Sequence, residues 1–307
     1  MVRAYPRLIL GCGNFGGIGS APAFFGQGET KEQAFELMDA AWGVAIEWFD
    51  TADAYGGGRS EAYIGEWIRS RRPDDLQLTT KTFNPMGEGE DRGLSPARVR
   101  RQLESSLRRL GVESVDLYLA HAWDPDVPIA EVAGVFDELV AAGKICAYGL
   151  SNVDGAQLRA ALAAGSFSVV QNSYSLLDRE ADDEVLPLCG ERSVEFQVHS
   201  PLMGGWLTGK YRRDTPAPDG SRMTLRSGPY EYLRDDRVYD ALEELERHGD
   251  PATLAFAWLF GDERLSAVVL GARRPEQLQQ ALAGFDRPLS PEERGALSDE
   301  FRLVPRS

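Results

Sequence analysis

Short β-rich runs alternate with longer helical stretches from one end of this 307-residue chain to the other, and that alternation restricts the fold more than any other feature. Eight runs read as strands: Leu8–Leu10, Glu47–Phe49, Leu76–Lys81, Val115–Ala120, Lys144–Leu150, Ser168–Asn172, Val194–His199 and Ser266–Leu270. Helical patterns lie between them, among them Lys31–Trp42, Pro96–Leu110, Ile129–Ala141 and Asp154–Ala163. Ser95-Pro96 reads as a helix start, a capping hydroxyl followed by proline in the first turn. Gly143 sits where a helix stop is expected. Strands that each lead into a helix pair in parallel through βαβ crossovers. Eight such units favour an α/β fold of the closed (β/α)8 TIM-barrel type, with its site at the C-terminal face of the strands; the pattern alone leaves an open doubly wound sheet as the alternative. No shift of charge or composition marks a second domain, so residues 1–307 read as one. The longest irregular stretch, Arg212–Pro229, is rich in Pro, Gly, Asp and Arg, and is expected to be a mobile loop that closes over a ligand.

Lys and Arg number 33 against 48 Asp and Glu, a formal net charge of −15. That balance argues against nucleic acid and anionic membrane surfaces as partners, because both require a basic face. The three cysteines, Cys12, Cys146 and Cys189, are far apart and form no zinc or redox motif, which suits reduced thiols. Met1–Leu10 lacks the apolar run of a signal peptide, and no run is long enough to span a bilayer. The expectation is a soluble, cytoplasmic protein acting on a small molecule, its oligomeric state open.

Polar residues at strand ends carry the chemistry of such barrels. Asp50 closes the second strand and Tyr55 follows it, Lys81 closes the third, and His121 follows the fourth. Tyrosine ordinarily titrates near 10, too high to lend its proton readily at neutral pH. A lysine ammonium beside it is expected to lower that value, with Asp50 keeping the lysine charged. His121 can donate to a carbonyl oxygen and share its developing charge. Taken singly, each has a blander explanation: a cap, amphipathic cover, a satisfied buried imidazole. Their placement on consecutive strands favours hydride addition to an aldehyde or ketone, with Tyr55 as proton donor. A metal-dependent hydrolase is the weaker reading, since His121, His199 and His248 are the only histidines and show no HxH spacing.

At these residues the sequence resembles the aldo-keto reductase superfamily. Phe49-Asp50-Thr51-Ala52-Asp53-Ala54-Tyr55-Gly56, with Arg59-Ser60-Glu61 and Gly65, is similar to the family's Asp/Tyr segment. Thr80-Lys81, Asp116 to His121, Gly143-Lys144 and Gly149-Leu150-Ser151-Asn152 are similar to its later motifs. The resemblance runs from the first strand to the last helix and implies an oxidoreductase using NADP(H). It implies side-chain contacts to the nicotinamide from Ser151, Asn152 and Gln171, beside Asp50, and close backbone approach around Gly13, Asn14 and Phe15. Ser200, Pro201, Leu202 and Gly204, then Leu207-Thr208-Gly209-Lys210, resemble the loop over the pyrophosphate. Arg222 resembles the arginine on the adenosine end. Gly271-Ala272-Arg273 with Gln277 resembles the junction holding the adenosine phosphate, where a helix start and a bidentate guanidinium suit an anion. Lys210, Arg222 and Arg273 together favour NADPH over NADH.

This chain departs from the family pattern in three places. His199 stands where a stacking aromatic usually ends strand seven, and its titration is expected to make cofactor affinity pH-dependent. Ala281 replaces a frequent asparagine. The short N-terminus implies that the hairpin under the barrel is reduced or absent. Trp123 is expected to line the substrate side, with Phe24, Phe25, Phe83 and Trp206 as candidates or as core. The alternative function is a cofactor-binding regulatory subunit like the potassium-channel β subunits that share this fold.

Overall fold

The computed structural model describes residues 7–89 and 91–302. Eight parallel strands close into a barrel in chain order: β1 Leu8–Gly11, β2 Trp48–Asp50, β3 Gln77–Thr82, β4 Val115–Ala120, β5 Ile145–Ser151, β6 Val169–Ser173, β7 Glu195–His199 and β8 Ala267–Leu270. β8 pairs back onto β1 at Ile9↔Val269, which excludes the open sheet. Helices cover the outside, among them α1 Lys31–Gly43, α2 Arg59–Arg71, α3 Pro96–Leu110, α4 Ile129–Ala141 and α5 Gly155–Ala164. The later helices are α6 Val185–Arg192, α7 Arg222–Leu225, α8 Asp236–His248, α9 Pro251–Phe260, α10 Leu278–Asp286 and α11 Pro291–Glu300. None of the described helices is long and apolar enough to cross a membrane.

Each strand lies within one or two residues of the run that announced it. Strand side chains alternate between faces, so one residue in two points into the barrel. Ile9, Ala267 and Val269 cluster inside, as do Leu117, Leu119 and Val169, and Trp48 packs against both clusters. The indole N–H of Trp48 donates to Thr79 Oγ1 at 2.8 Å, which satisfies its one polar group inside the barrel. The outward set, including Leu8, Leu10, Phe49, Tyr118 and Val198, joins the helices in the main core. Counting two residues on from the inward layer gives Asp50 from Trp48, Lys81 from Thr79, His121 from Leu119, Ser151 from Gly149 and Gln171 from Val169. Period two therefore delivers the polar residues to one open end of the barrel.

Local signals act as read in most places. Asp154 caps α5 by accepting from Gln157 N–H at 2.8 Å, and Gly143 adopts φ +68° just past α4. Ser95 is a correction: Pro96 does open α3, but the Ser95 side chain makes no capping hydrogen bond. Arg212–Pro229 is not structureless throughout, since it contains α7 and the start of a 3-10 turn over Gly228–Leu233. The expected loss of the N-terminal hairpin falls on residues 1–6, outside the described residues.

One buried ion pair braces the catalytic side of the wall. Glu61, on the first turn of α2, is fully buried, accepts from Thr80 Oγ1 at 2.6 Å and pairs with Arg109 of α3 at 2.6 Å. Deleting one member of such a pair strands a charge and costs about 3–5 kcal/mol. Arg109 is 24% exposed, so water can reach the vacated side. Arg109→Met should therefore lower stability by about 3 kcal/mol, the low end of that range, in urea unfolding; a loss below about 1 kcal/mol would show that the pair is not structural.

Candidate active site

Three glycines after Tyr55 set the position of its ring. Gly56, Gly57 and Gly58 have φ of +59°, +67° and +89°, conformations open to glycine and strained for other residues. A Cβ on Gly56 would also sit 2.6 Å from the carbonyl oxygen of Phe15. The turn drops Tyr55 beside the barrel mouth, against Gly13 of the loop that follows β1. Ser60, on the next helix, donates to Cys12 O at 2.9 Å and bonds Thr51 Oγ1 at 2.8 Å, tying the two loops together.

The four expected catalytic candidates come together there. Lys81 is buried, donates to Asp50 in a short charge-assisted bond and to Thr51 O at 2.9 Å, and lies 5.3 Å from the centre of the Tyr55 ring. Tyr55 Oη is 3.4 Å from His121 Nε2, with the rings edge to face at 5.4 Å. Burial works to discharge Lys81, but the pull of Asp50 and Tyr55 prevails and its ammonium is held above the ordinary range. The sequence expectation for Tyr55 needs correcting. Lys81 does favour the phenolate, but burial is the larger influence and Asp50 adds to it, so the phenol is raised rather than lowered. The tyrosine is a loaded proton donor at rest. Burial, then the charge of Lys81 and the neighbouring His199, push His121 well below the ordinary imidazole range, so it is neutral.

Sequence reasoning missed Asn84. Its Nδ2 lies 3.3 Å from His121 Nδ1, so the amide donates there and the ring proton resides on Nε2, facing Tyr55 Oη and the open cleft. Its position three residues beyond Lys81 in the same strand-end loop was the available signal. Gln171 donates to Asp50 Oδ2 at 2.8 Å, so the second oxygen of that carboxylate is also held.

A cavity of about 630 Å³ opens above this layer and runs from Tyr55 and His121 to Arg273 and Gln277, within the size range of small-molecule sites. Gly13, Asn14, Ser151, Asn152, Gln171, His199, Ser200, Pro201, Leu202, Gly204, Lys210, Arg222, Gly271, Arg273 and Gln277 all line it. Asn152 and Ser200, at the ends of β5 and β7, have φ of +58° and +54°; backbone held in this region clusters at functional sites. Asn152 Nδ2 donates to His121 O at 2.9 Å and its Oδ1 accepts from His199 Nε2–H at 2.9 Å, so it joins the two halves of the wall. Gly204 and Gly205 also have positive φ, and side chains there would collide with the Tyr230 ring and the Lys210 ammonium.

Several expected residues lie elsewhere. Phe15 is not on the cavity wall; its ring is buried in the core and its N–H bonds Cys12 O. Trp123 is off the wall as well, half-buried against the core, as is Phe83. Trp206 is core, packed on Tyr211 and Tyr239 with ring centres 4.9 and 5.7 Å away. Phe24 lies under the Arg226 guanidinium and Phe25 beside Gly57. Ala281 does line the cavity. Gln277 turns its carbonyl oxygen onto the N–H groups of Arg273 and Arg274 at 2.7 and 3.2 Å, so that turn is already capped from within. Residues the sequence did not announce include Ile18, Gly19, Glu29, Arg226 and Tyr230. They come from loops far apart in the chain, with no local pattern to mark them.

The two ends of the cavity differ in chemistry. One presents amide and hydroxyl groups around two neutral imidazoles, His121 and His199. At the other, burial and the nearby Arg273 and Arg222 hold Lys210 below its ordinary range. Burial likewise lowers Arg222, which donates to Asn14 Oδ1 at 3.0 Å. Cations that repel one another in a half-closed cleft form a receptor for anions. A carboxamide-bearing ring joined to a chain of phosphates fits that polarity, and so the donor set suits a nicotinamide dinucleotide.

A parallel barrel with a Tyr-Lys-Asp-His set at its C-terminal mouth and an anion-receiving cleft defines a class of barrel oxidoreductase. The pattern described as the aldo/keto reductase family matches residues 7–299, and the chain belongs to that family. It is 32% identical over 293 residues to an Escherichia coli NADH-specific methylglyoxal reductase, covering 89% of this chain and 88% of the relative. It is 31% identical over 288 residues to a Schizosaccharomyces pombe protein named for the β subunit of a voltage-gated potassium channel, covering 87% of this chain and 83% of that one. Among solved structures, a glycerol dehydrogenase from Gluconobacter oxydans superposes with a TM-score of 0.82 at 26% identity, covering 98% of this chain and 93% of that one.

His199 contradicts the expected pH dependence near neutrality. Burial, then the charge of Lys81, lowers it to about 4, so it is neutral through the physiological range. Between that value and the ordinary 6.5 the unfolded chain binds the proton that the folded site refuses. Stability attributable to this group is thus complete above pH 6.5 and is lost as pH falls toward 4. His199→Gln should show a smaller drop in Tm across that interval than the wild type, and an unchanged drop would show that His199 is not held neutral.

Proposed function

We propose that this protein reduces an aldehyde or ketone, a sugar carbonyl among the candidates, to an alcohol in the cytoplasm, with NADPH favoured over NADH as reductant. The observation that carries this reading is the continuous set Asp50–Lys81–Tyr55–His121 at the floor of a cleft whose far end is cationic. When bound, the reduced nicotinamide supplies the hydride that attacks the carbonyl carbon. Ser151, Asn152 and Gln171 are the side chains that would hold its carboxamide; Lys210, Arg222 and Arg273 would hold its phosphates. The segment around α7 is proposed to close over them, and Arg222 already spans to Asn14.

The substrate oxygen is received between Tyr55 Oη and the Nε2–H of His121, two donors aimed at the point where negative charge develops. Tyr55 gives its proton to that oxygen, so the carbonyl gains one hydride and one proton and becomes an alcohol. Lys81 then faces the phenolate left behind, and Asp50 keeps Lys81 charged in a setting where burial opposes it. Solvent returns the proton to Tyr55. A neutral His121 suits this division of labour: it donates a hydrogen bond without competing as an acid.

The regulatory-subunit reading is weaker. A binding role alone needs no proton donor poised beside a lysine, and the four groups here contact one another in the order that proton transfer requires. Tyr55→Phe keeps the ring and removes the donor. Turnover of small aldehydes, followed by oxidation of NADPH, should fall by about 100-fold or more, while dinucleotide binding measured by tryptophan fluorescence stays near the wild-type value. Full activity in Tyr55→Phe would overturn the mechanism, and tight binding without turnover in the wild type would favour the regulatory reading.

A further inference from the structure

Glu29 is a carboxylate at the end of the cleft where the other charged side chains, Lys210, Arg222, Arg226 and Arg273, are all cationic. It lines the far end of the cavity, yet it is only 3% exposed. Its backbone is fixed on both sides: Glu29 N–H donates to Asn14 O at 2.8 Å, and Gly16 N–H donates to Glu29 O at 2.9 Å. One side-chain oxygen, Oε1, accepts from Arg273 Nε at 2.6 Å. The other, Oε2, is buried without a hydrogen-bond partner. A buried carboxylate kept only to brace two loops would have both oxygens satisfied. Here one oxygen holds the arginine and the other is left over, in a wall that faces a ligand cleft.

We propose that Glu29 sets this protein's choice between the two reduced nicotinamide dinucleotides, holding Arg273 and opposing the phosphate that distinguishes NADPH from NADH. The inference rests on the dinucleotide reading of the cleft. The two cofactors differ by one phosphate on the adenosine ribose, where NADH carries a hydroxyl. A guanidinium grips a phosphate best through two parallel bonds. Arg273 already spends Nε on Glu29 and Nη1 on Gly220 O at 2.9 Å, so a phosphate must compete with a carboxylate for it. The same carboxylate repels the incoming charge. A ribose hydroxyl meets neither obstacle, and it can donate to a carboxylate, the arrangement by which an acidic residue favours NAD over NADP in dinucleotide folds of another architecture. Lys210 and Arg222 draw phosphate to this end, and Glu29 subtracts from the advantage they give to NADPH. The sequence hid this residue because it sits just ahead of Thr30, the cap of α1, and reads there as part of a helix start.

The test is the ratio of dissociation constants for NADH and NADPH, titrated by tryptophan fluorescence on the full chain. Glu29→Gln keeps the shape and removes the charge. The ratio Kd(NADH)/Kd(NADPH) should rise about 10-fold or more, through tighter NADPH; Glu29→Asp, which keeps the charge, should stay within about threefold of the wild-type ratio. A ratio in Glu29→Gln within about twofold of wild type would overturn the proposal. Parallel weakening of both cofactors would overturn it too, by marking Glu29 as a latch between loops. Arg273→Ala tests the proposal by a second route, since it keeps the carboxylate and removes its counter-charge. NADPH should then lose at least about 10-fold more affinity than NADH, and equal losses would overturn the proposal. A wild type that binds neither nucleotide overturns the dinucleotide reading itself, and does so before any variant is compared.

Discussion

A lysine ammonium cannot sit at the mouth of a barrel, cut off from water, unless something holds its charge. Asp50 does so here, and much of the site follows from that pair. The two residues come from adjacent strands whose register is fixed by the ladder Asp50↔Thr79, which brings Lys81 two residues further on over the same layer. Gln171 and Thr51 complete the hydrogen bonding around them. Breaking a buried pair of this kind leaves an uncompensated charge, so its two partners must be kept or lost together. The charge on Lys81 then acts outward. It opposes protonation of His121 and His199, and it faces Tyr55, whose phenol stays loaded because burial outweighs the attraction.

The cleft is therefore electrically divided. At the strand ends the polar groups are neutral donors and acceptors around one satisfied ion pair. Toward the β8 loop, Lys210, Arg222, Arg226 and Arg273 gather around one acid, Glu29, and Arg222 is pressed on by both Arg226 and Arg273. Such a layout distinguishes the ends of a long, polar ligand by charge as well as by shape. The membership of the aldo/keto reductase family agrees with that arrangement.

Much of this was legible in the sequence because strand periodicity is a strong signal. Asp50, Ser151 and His121 end or follow a strand, Lys81 is next to last in β3 and Gln171 is the middle residue of β6, all on the inward phase, so one count of two locates all of them. The lining glycines and Arg273 were legible through the family resemblance. What escaped depended on three-dimensional balance. The sign of the Tyr55 shift is a contest between burial and a nearby charge, and no spacing reveals which wins. Phe15 and Trp206 carry the same aromatic signature whether they face a cleft or a core. Asn84 and Glu29 act through partners 37 and 244 positions away, beyond any local pattern.

Tyr55 stands protonated beside a charged Lys81. The most direct test of that state is an ultraviolet difference titration of the phenol, wild type minus Tyr55→Phe, followed up to the alkaline limit of folding. The Tyr55 phenol should remain un-ionised past the ordinary value of 10. Ionisation well below that value would contradict it, and would show that the lysine's attraction rather than burial governs the proton.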